Sequence, residues 1–410
     1  MITFIKDFIA KKGIWVGLSL LISRLSAFLL SVFVARVLAK EDFGAATFGL
    51  NFLTIFLAFS GFGAAQGVVK YGSSIENSHQ KKQLFRYAFS YGLIYNFILT
   101  IIMLLISGVL YWEEFDKIKL ILLFSIRFLG MYLVEQKKAE YRADLDNQKF
   151  AKFDVFLSVI SLVLGIICTY FWNLNGFILS LCISPFFLFF YDRQFSFSLK
   201  KITFKDFKSK EFWRFSWTTA LTTQIGELVF ILDIFFIGLL MNDRDVAYYK
   251  VSSMIPMNVL VLGFIFMQTE YPKLCQHHRD KKYQYHFIFN YWKLFTLVGI
   301  AILAVGLFFD KQILSIFGHQ YQDTEIYKIL LVATVISLIF RVLFVYMLAS
   351  IGKTMWNLYI SLLMLFATSV SLYLLIPEYG LKGVSYVTFG CLVLSGILPA
   401  FAYFYESKKI

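Results

Sequence analysis

The sequence predicts an all-α polytopic membrane protein whose twelve transmembrane helices form two six-helix lobes. Three observations carry this reading. The 410 residues are 59% hydrophobic and 16% charged, with a mean hydropathy of +0.69, whereas a soluble domain holds about 45–50% apolar and about 25% charged residues. Polar stretches cut the chain into twelve apolar runs, and a helix needs about 20 such residues to cross a bilayer. The longest and most basic connector, Asp192 to Arg214, separates six runs from six, as in transporters built from two repeated halves.

Taken in order, the runs lie at 14–38, 43–68, 84–111, 118–136, 153–172, 174–191, 214–240, 246–271, 287–309, 325–350, 354–376 and 383–405. The first follows Lys6, Lys11 and Lys12 but contains Arg24 and exceeds a signal peptide's apolar core, so it reads as a retained span. Pro185, Pro256 and Pro399 fall inside runs six, eight and twelve, where a lost backbone hydrogen bond permits bending; a kink is expected near Pro256. With the N-terminus inside, 26 of the 39 Lys and Arg residues fall in cytoplasmic segments and 8 in external ones, the bias of the positive-inside rule. An even span count then places both termini in the cytoplasm. The expected organisation is an N-terminal lobe over 1–195, a basic cytoplasmic linker over 196–213 and a C-terminal lobe over 214–410. A shift of 203 residues lays Asp42 to Phe48 on Asp245 to Val251 and Lys70 on Lys273, a weak internal repeat.

A charge at a span centre costs roughly 2.5–3.5 kcal/mol on insertion scales, so central charges need a reason. Arg24, Arg127 and Arg341 lie near the middle of runs one, four and ten, and Glu227 and Asp233 lie at and beyond the middle of run seven. Lys250, Glu270 and Lys293 sit near span ends, where long side chains reach the interface. Gly17, Arg24 and Ser31 share one helical stripe, with Ser19, Ser23 and Ser26 beside it, so this side of the first helix is expected to face a cavity. Thr219, Thr223 and Glu227 stack similarly in run seven. One reading has arginines holding an anionic group while carboxylates carry a proton or cation. The other has the same charges pairing with each other to fix helix packing.

Several signals fail. The net charge of +13 reports membrane orientation, with no nucleic-acid partner implied. Gly352-Lys353-Thr354 lacks the earlier glycine of a phosphate loop, position 347 being Met347. Asp144-Leu145-Asp146, Asp243-Arg244-Asp245 and His277-His278 have no further ligands in metal spacing, and four scattered cysteines suggest neither a disulfide nor a metal site. No cofactor is expected.

Four segments carry a resemblance: Arg36 to Gly44, Phe317 to Tyr321, Gly352-Lys353 and Ile376 to Gly383. In their order and spacing the chain resembles the polysaccharide flippase branch of the multidrug/oligosaccharidyl-lipid/polysaccharide exporter superfamily, the O-antigen and capsule-repeat flippases. The resemblance implies a V-shaped exporter without enzymatic activity in the bacterial inner membrane. It would move an undecaprenyl-pyrophosphate-linked oligosaccharide to the outer leaflet by alternating access. By position it suggests Arg24 and Arg127, joined by the central Arg341, for the substrate, and Glu227 or Asp233 for coupling to a proton or sodium ion. Implied partners are the lipid-linked oligosaccharide, membrane lipids and a polysaccharide polymerase. A cation-coupled multidrug exporter is the alternative, although central arginines favour an anion. A membrane polymerase or glycosyltransferase would need a longer catalytic loop. A reporter fused after Ile410 should be active only on the cytoplasmic side; activity only outside would reverse the orientation.

Overall fold

A computed structural model describes residues 13–57, 59–192, 197, 207–228, 231–277, 279–318, 320–321 and 324–408; the expected linker, 196–213, lies largely outside them. The described chain is helical, with no strand among the described residues. Helices α1 (Gly13–Val37), α2 (Lys40–Leu57), α3 (Ala64–Ser73), α4 (Ser78–Leu110), α5 (Phe115–Ala143) and α6 (Asn147–Ile183) precede the connector. Helices α7 (Ser209–Leu228), α8 (Leu232–Leu240), α9 (Asp243–Gln276), α10 (Lys281–Phe308), α11 (Glu325–Ile339), α12 (Arg341–Ser350) and α13 (Thr354–Ser407) follow it.

Four helices start several residues before their apolar runs, and in each an Asx side chain sets the start. Asn77 accepts from the His79 and Gln80 N–H groups, Asp146 from Lys149, Asn242 from Asp245 and Asp280 from Tyr283. Each cap satisfies a donor that the first turn leaves open, worth about 1 kcal/mol. The polar first turns of α4, α6, α9 and α10 are therefore helix rather than loop.

Two of the helices are hairpins. In α6 the backbone reverses at Trp172 and Asn173, where Asn173 takes a φ of +48°. Residues 153 and 156 then meet Tyr191 across the turn, with ring centroids 5.4 Å apart in both pairs. In α13 the reversal falls at Gly380, with φ +55°, and brings Glu406 back to Trp356 Nε1 at 3.3 Å and Lys353 Nζ at 3.0 Å. Three residues after each turn a glycine lets the returning helix close on the outgoing one. A Cβ on Gly176 would overlap the Cys168 carbonyl, and one on Gly383 would stand 2.8 Å from the Leu375 carbonyl.

Among the described residues eight helical stretches are long and apolar enough to cross a membrane, including 147–191 and 354–407. Those two are the hairpins and each supplies two crossings. The charged α5 and the interrupted α7–α8 pair account for the remaining two of twelve, so the chain has the all-α polytopic fold expected. Exposed Leu21, Ile101, Leu105 and Val109, at 56–79% accessibility, line faces of α1 and α4 that only lipid would cover in a soluble-sized chain. Helix α9 continues through Pro256 without a break. Breaks occur at the two turns, at Gly61 to Gly63 between α2 and α3, at the Ile231 turn before α8, and between α11 and α12 at Phe340.

The chain forms two compact units, Met1–Gln224 and Ile225–Ile410. In the first, α1 packs along α6, and α5 lies against α3, α4 and α6. In the second, α11 contacts α9, α10 and α13, while α12 packs on α13. Gly176→Ala should lower stability by about 1–3 kcal/mol, the usual cost of forcing a side chain into a filled contact. Gly108, with nothing within 4 Å of a built Cβ, is the matching control. Thermal melting in detergent checks this; equal melting temperatures for the two alanine variants would contradict the hairpin geometry.

Candidate functional site

The N-terminal unit encloses a cavity of about 320 Å³ lined by residues of α1, α2, α5 and α6, including Ser23, Ser26, Ser31, Arg127, Lys138 and Asp154. Its architecture starts from a missing hydrogen bond. Pro185 has no N–H to give the carbonyl four residues earlier, that of Leu181. The Arg127 guanidinium donates to that carbonyl instead, through Nη1 at 2.5 Å. Gly130, one turn further along α5, brings the two helices close enough, since a Cβ there would lie 2.8 Å from Pro185 Cβ. One of the five guanidinium donors is thus anchored, and the fork lines the cavity.

A second cation stands in the same cavity. Lys138 Nζ lies 2.7 Å from Asp154 Oδ1 and 3.6 Å from Glu135 Oε1. Asp154 is buried, its side chain 6% accessible, and its other oxygen accepts from the Ser23 hydroxyl at 2.6 Å. Ser158 Oγ lies 2.7 Å from both Ser23 Oγ and the Asp154 carbonyl. A carboxylate removed from water here is held by a lysine and a hydroxyl, the pairing a buried charge requires. Arg24 is exposed and makes no ion pair with a described residue. It is not among the residues that line the cavity, although it shares a helical stripe with Ala27 and Ser31, which do.

In the C-terminal unit the polar centre is a carboxylate. Asp233 lies in the first turn of α8, after the chain breaks between α7 and α8. A carboxylate is favourable at such a helix start, and Oδ1 accepts from the Ile234 N–H at 2.8 Å. Oδ2 accepts from the Tyr249 hydroxyl of α9 at 2.6 Å, and Tyr249 Oη is 2.9 Å from Thr388 Oγ1 of α13. Lys250 is within electrostatic reach of Asp233. Asp233 is buried, 5% accessible. The Glu227 side chain lies outside the described residues. Arg341 opens α12 half-buried, and its backbone passes 3.0 Å from where a Cβ on Gly396 would stand. The number of residues from Arg341 to Pro399 equals that from Arg127 to Pro185.

The structure therefore gathers Arg127 with Lys138, Asp154 and Ser23, and separately joins Asp233 to Tyr249, whose hydroxyl also meets Thr388. Sequence reading missed Lys138, which counts there as loop charge, and Asp154, the second residue of the fifth run, and took Lys250 for an interfacial lysine. A usable signal existed: Asp154, Ser158 and Ser161 recur at i, i+4 and i+7, a polar stripe on the first half of α6. No group of three or more His, Cys, Asp or Glu side chains among the described residues is placed to hold a metal.

The fold defines the class. It is similar to a multidrug resistance MATE family transporter of the MOP superfamily in its inward-facing conformation, with TM-score 0.67 and 15% identity over 94% of each chain. It is likewise similar to the lipid II flippase MurJ in an inward closed conformation, with TM-score 0.67 and 15% identity over 95% of this chain and 87% of that one. The molecule is a multi-pass membrane protein whose fold is similar to those of these two proteins. The chain belongs to the polysaccharide biosynthesis protein family, which it matches over residues 33–326. It is also 27% identical over 159 residues to the capsular polysaccharide biosynthesis protein CapF of Staphylococcus aureus. That match takes in 37% of this chain and spans 39% of the relative's length.

Tyr249→Phe leaves a buried carboxylate short of a donor and should cost about 1–3 kcal/mol. In a double-mutant cycle with Asp233→Asn the two losses should not add; strict additivity in chemical or thermal unfolding would mean the hydrogen bond contributes nothing.

Proposed function

We propose that this protein is a flippase for an undecaprenyl-pyrophosphate-linked oligosaccharide, moving it from the inner to the outer leaflet by alternating access with both termini cytoplasmic. The observation that carries the reading is the Arg127 cavity of the N-terminal unit. A guanidinium anchored through one donor, with a lysine nearby and serine hydroxyls around it, suits the geometry of phosphate oxygens. A volume of about 320 Å³ lies at the low end of roughly 300–1,000 Å³ for small-molecule pockets, the scale of a pyrophosphate head group rather than a whole oligosaccharide. Membership of a polysaccharide biosynthesis family and the likeness in fold to a flippase support the same reading.

Arg24, beside the cavity-lining stripe of α1, would add a cation to this site, Arg341 would serve the substrate within the second unit, and Glu227 or Asp233 would couple transport to a proton or sodium gradient. With no nucleotide loop in the sequence, a gradient or downstream consumption by a polymerase gives the transport its direction. The alternative, export of cationic drugs, fits the superfamily fold but meets two cations in the one described cavity that holds Arg127.

Arg24→Ala tests the substrate role without disturbing packing, because the side chain is exposed. Losing a charge-assisted contact of about 1.5–3 kcal/mol lowers head-group binding about tenfold or more, so surface polysaccharide should fall sharply at equal membrane abundance, with Arg24→Lys intermediate. In proteoliposomes, Glu227→Gln with Asp233→Asn should abolish the response to an imposed gradient. Normal export by Arg24→Ala and Arg127→Ala together, or drug sensitivity without polysaccharide loss on deletion, would sink the proposal.

A further inference from the structure

Asp154 and Lys138 sit in the cavity as a closed pair, yet the proposed substrate brings its own negative charge to the same place. The two partners differ in their freedom to respond to it. Lys138 keeps 21% of its side chain accessible and lines the cavity, whereas Asp154 is 6% accessible. The ammonium is a compact charge on a flexible stem, able to swing to a new partner, while the carboxylate is fixed by the Ser23 hydroxyl and the wall of α1. The charged groups around the carboxylate are Lys138, Glu135 and Arg142 on α5, with Arg127 further along the same helix. The faces of α1 and α2 in the cavity contribute only hydroxyls and apolar groups.

We propose that Lys138 is a phosphate-binding residue held in reserve by Asp154, and that an anionic pyrophosphate head group displaces Asp154 from it with uptake of one proton by the Asp154 carboxyl. This deepens the flippase reading and rests on it. When the ammonium moves to the phosphate, Asp154 keeps the Ser23 hydroxyl as its only charge-stabilising partner, beside a newly arrived anion. A buried carboxylate without a cation is neutralised rather than left charged. A proton from water joins one Asp154 oxygen, the O–H so formed finds Ser23 or Ser158 Oγ as acceptor, and hydroxide passes to the bulk buffer. Substrate and proton thereby load together in the N-terminal unit, and loss of the proton returns Lys138 to Asp154 and expels the head group.

The sign of the linkage is fixed. Because binding takes up a proton, affinity for the anion rises as pH falls, by up to about tenfold per pH unit where one proton is fully linked.

Isothermal titration of the purified full-length protein with a short-chain polyprenyl-pyrophosphate N-acetylhexosamine, in buffers of different ionisation enthalpy, measures the proton count directly. The wild type should take up close to one proton per ligand. Asp154→Asn should bind at least as tightly, with no uptake and a flat pH profile. Lys138→Gln should weaken binding at least tenfold. Since that variant leaves a buried carboxylate unpaired, Lys138→Gln with Asp154→Asn removes both charges together and should bind at least tenfold more weakly than Asp154→Asn alone. Tight binding by the wild type without proton uptake, the same uptake in Asp154→Asn, or equal affinity of the double and single variants would each overturn the exchange and leave the flippase reading standing. Failure of the wild type to bind the probe at all would overturn the flippase reading, and the exchange with it.

Discussion

A chain that lives in hydrocarbon must satisfy each backbone group and each charge from its own residues, since an unmet group costs several kcal/mol there. The cavity of the N-terminal unit is a direct product of that constraint. Pro185 removes one helical donor, the Leu181 carbonyl keeps only the Ser184 hydroxyl at 3.5 Å from its own helix, and Arg127 is drawn across from α5 to meet it. Its position is thus fixed by backbone chemistry before any ligand is considered. The same rule holds Asp233 at the start of α8, where a backbone N–H of the first turn and a tyrosine hydroxyl share the carboxylate between them. Both polar centres arise where a helix is interrupted.

The two halves repeat this plan with different chemistry. Each ends in a helical hairpin whose turn carries a positive φ, at Asn173 and Gly380, and whose return is closed by Gly176 and Gly383. Arg127 with Pro185 and Arg341 with Pro399 keep equal spacing. These correspondences are stronger than the match at a shift of 203 residues, because backbone conformation and close approach enforce them. What differs is the polar content. Two cations and one carboxylate meet in the first unit, while the second joins Asp233 to Tyr249, whose hydroxyl also meets Thr388.

Much of the fold was legible because hydropathy reports the bilayer directly. The twelve runs fall on helices even where the chain does not pause between two of them. The Asx starts at Asn77, Asp146, Asn242 and Asp280 went unread, since polar first turns look like loops when apolar length is the criterion. That omission hid the site. Lys138 lies in the stretch counted as a cytoplasmic loop, and the extension of α5 to Ala143 makes it a helical residue that faces Asp154, the second residue of the fifth run. Arg127 was visible as a lone mid-span charge, but its partner is a carbonyl whose availability depends on Pro185 in another helix. Tyr249 and Thr388 gave no signal, for a hydroxyl among apolar residues looks alike whether it meets Asp233 or nothing. Periodicity within one helix shows a polar stripe; which stripes face each other is decided by tertiary packing.

Transport also explains why a cationic pocket would contain a carboxylate at all. A site of bare cations in a low-dielectric wall binds a pyrophosphate so tightly that release becomes the slow step, and it admits any small phosphate present in the cell. An internal counter-ion lowers affinity for every anion by the free energy needed to displace it. It also ties that displacement to protonation of Asp154, so that release of the head group and loss of that proton go together. Asp154 meets the structural demands of such a counter-ion: it is buried and fixed, while its partner is mobile and faces the cavity. Arg127 does not, since its anchor is a neutral carbonyl that costs little to share. In the proposed cycle the arginine therefore recognises the head group in every state, and the lysine decides in which state the head group is held.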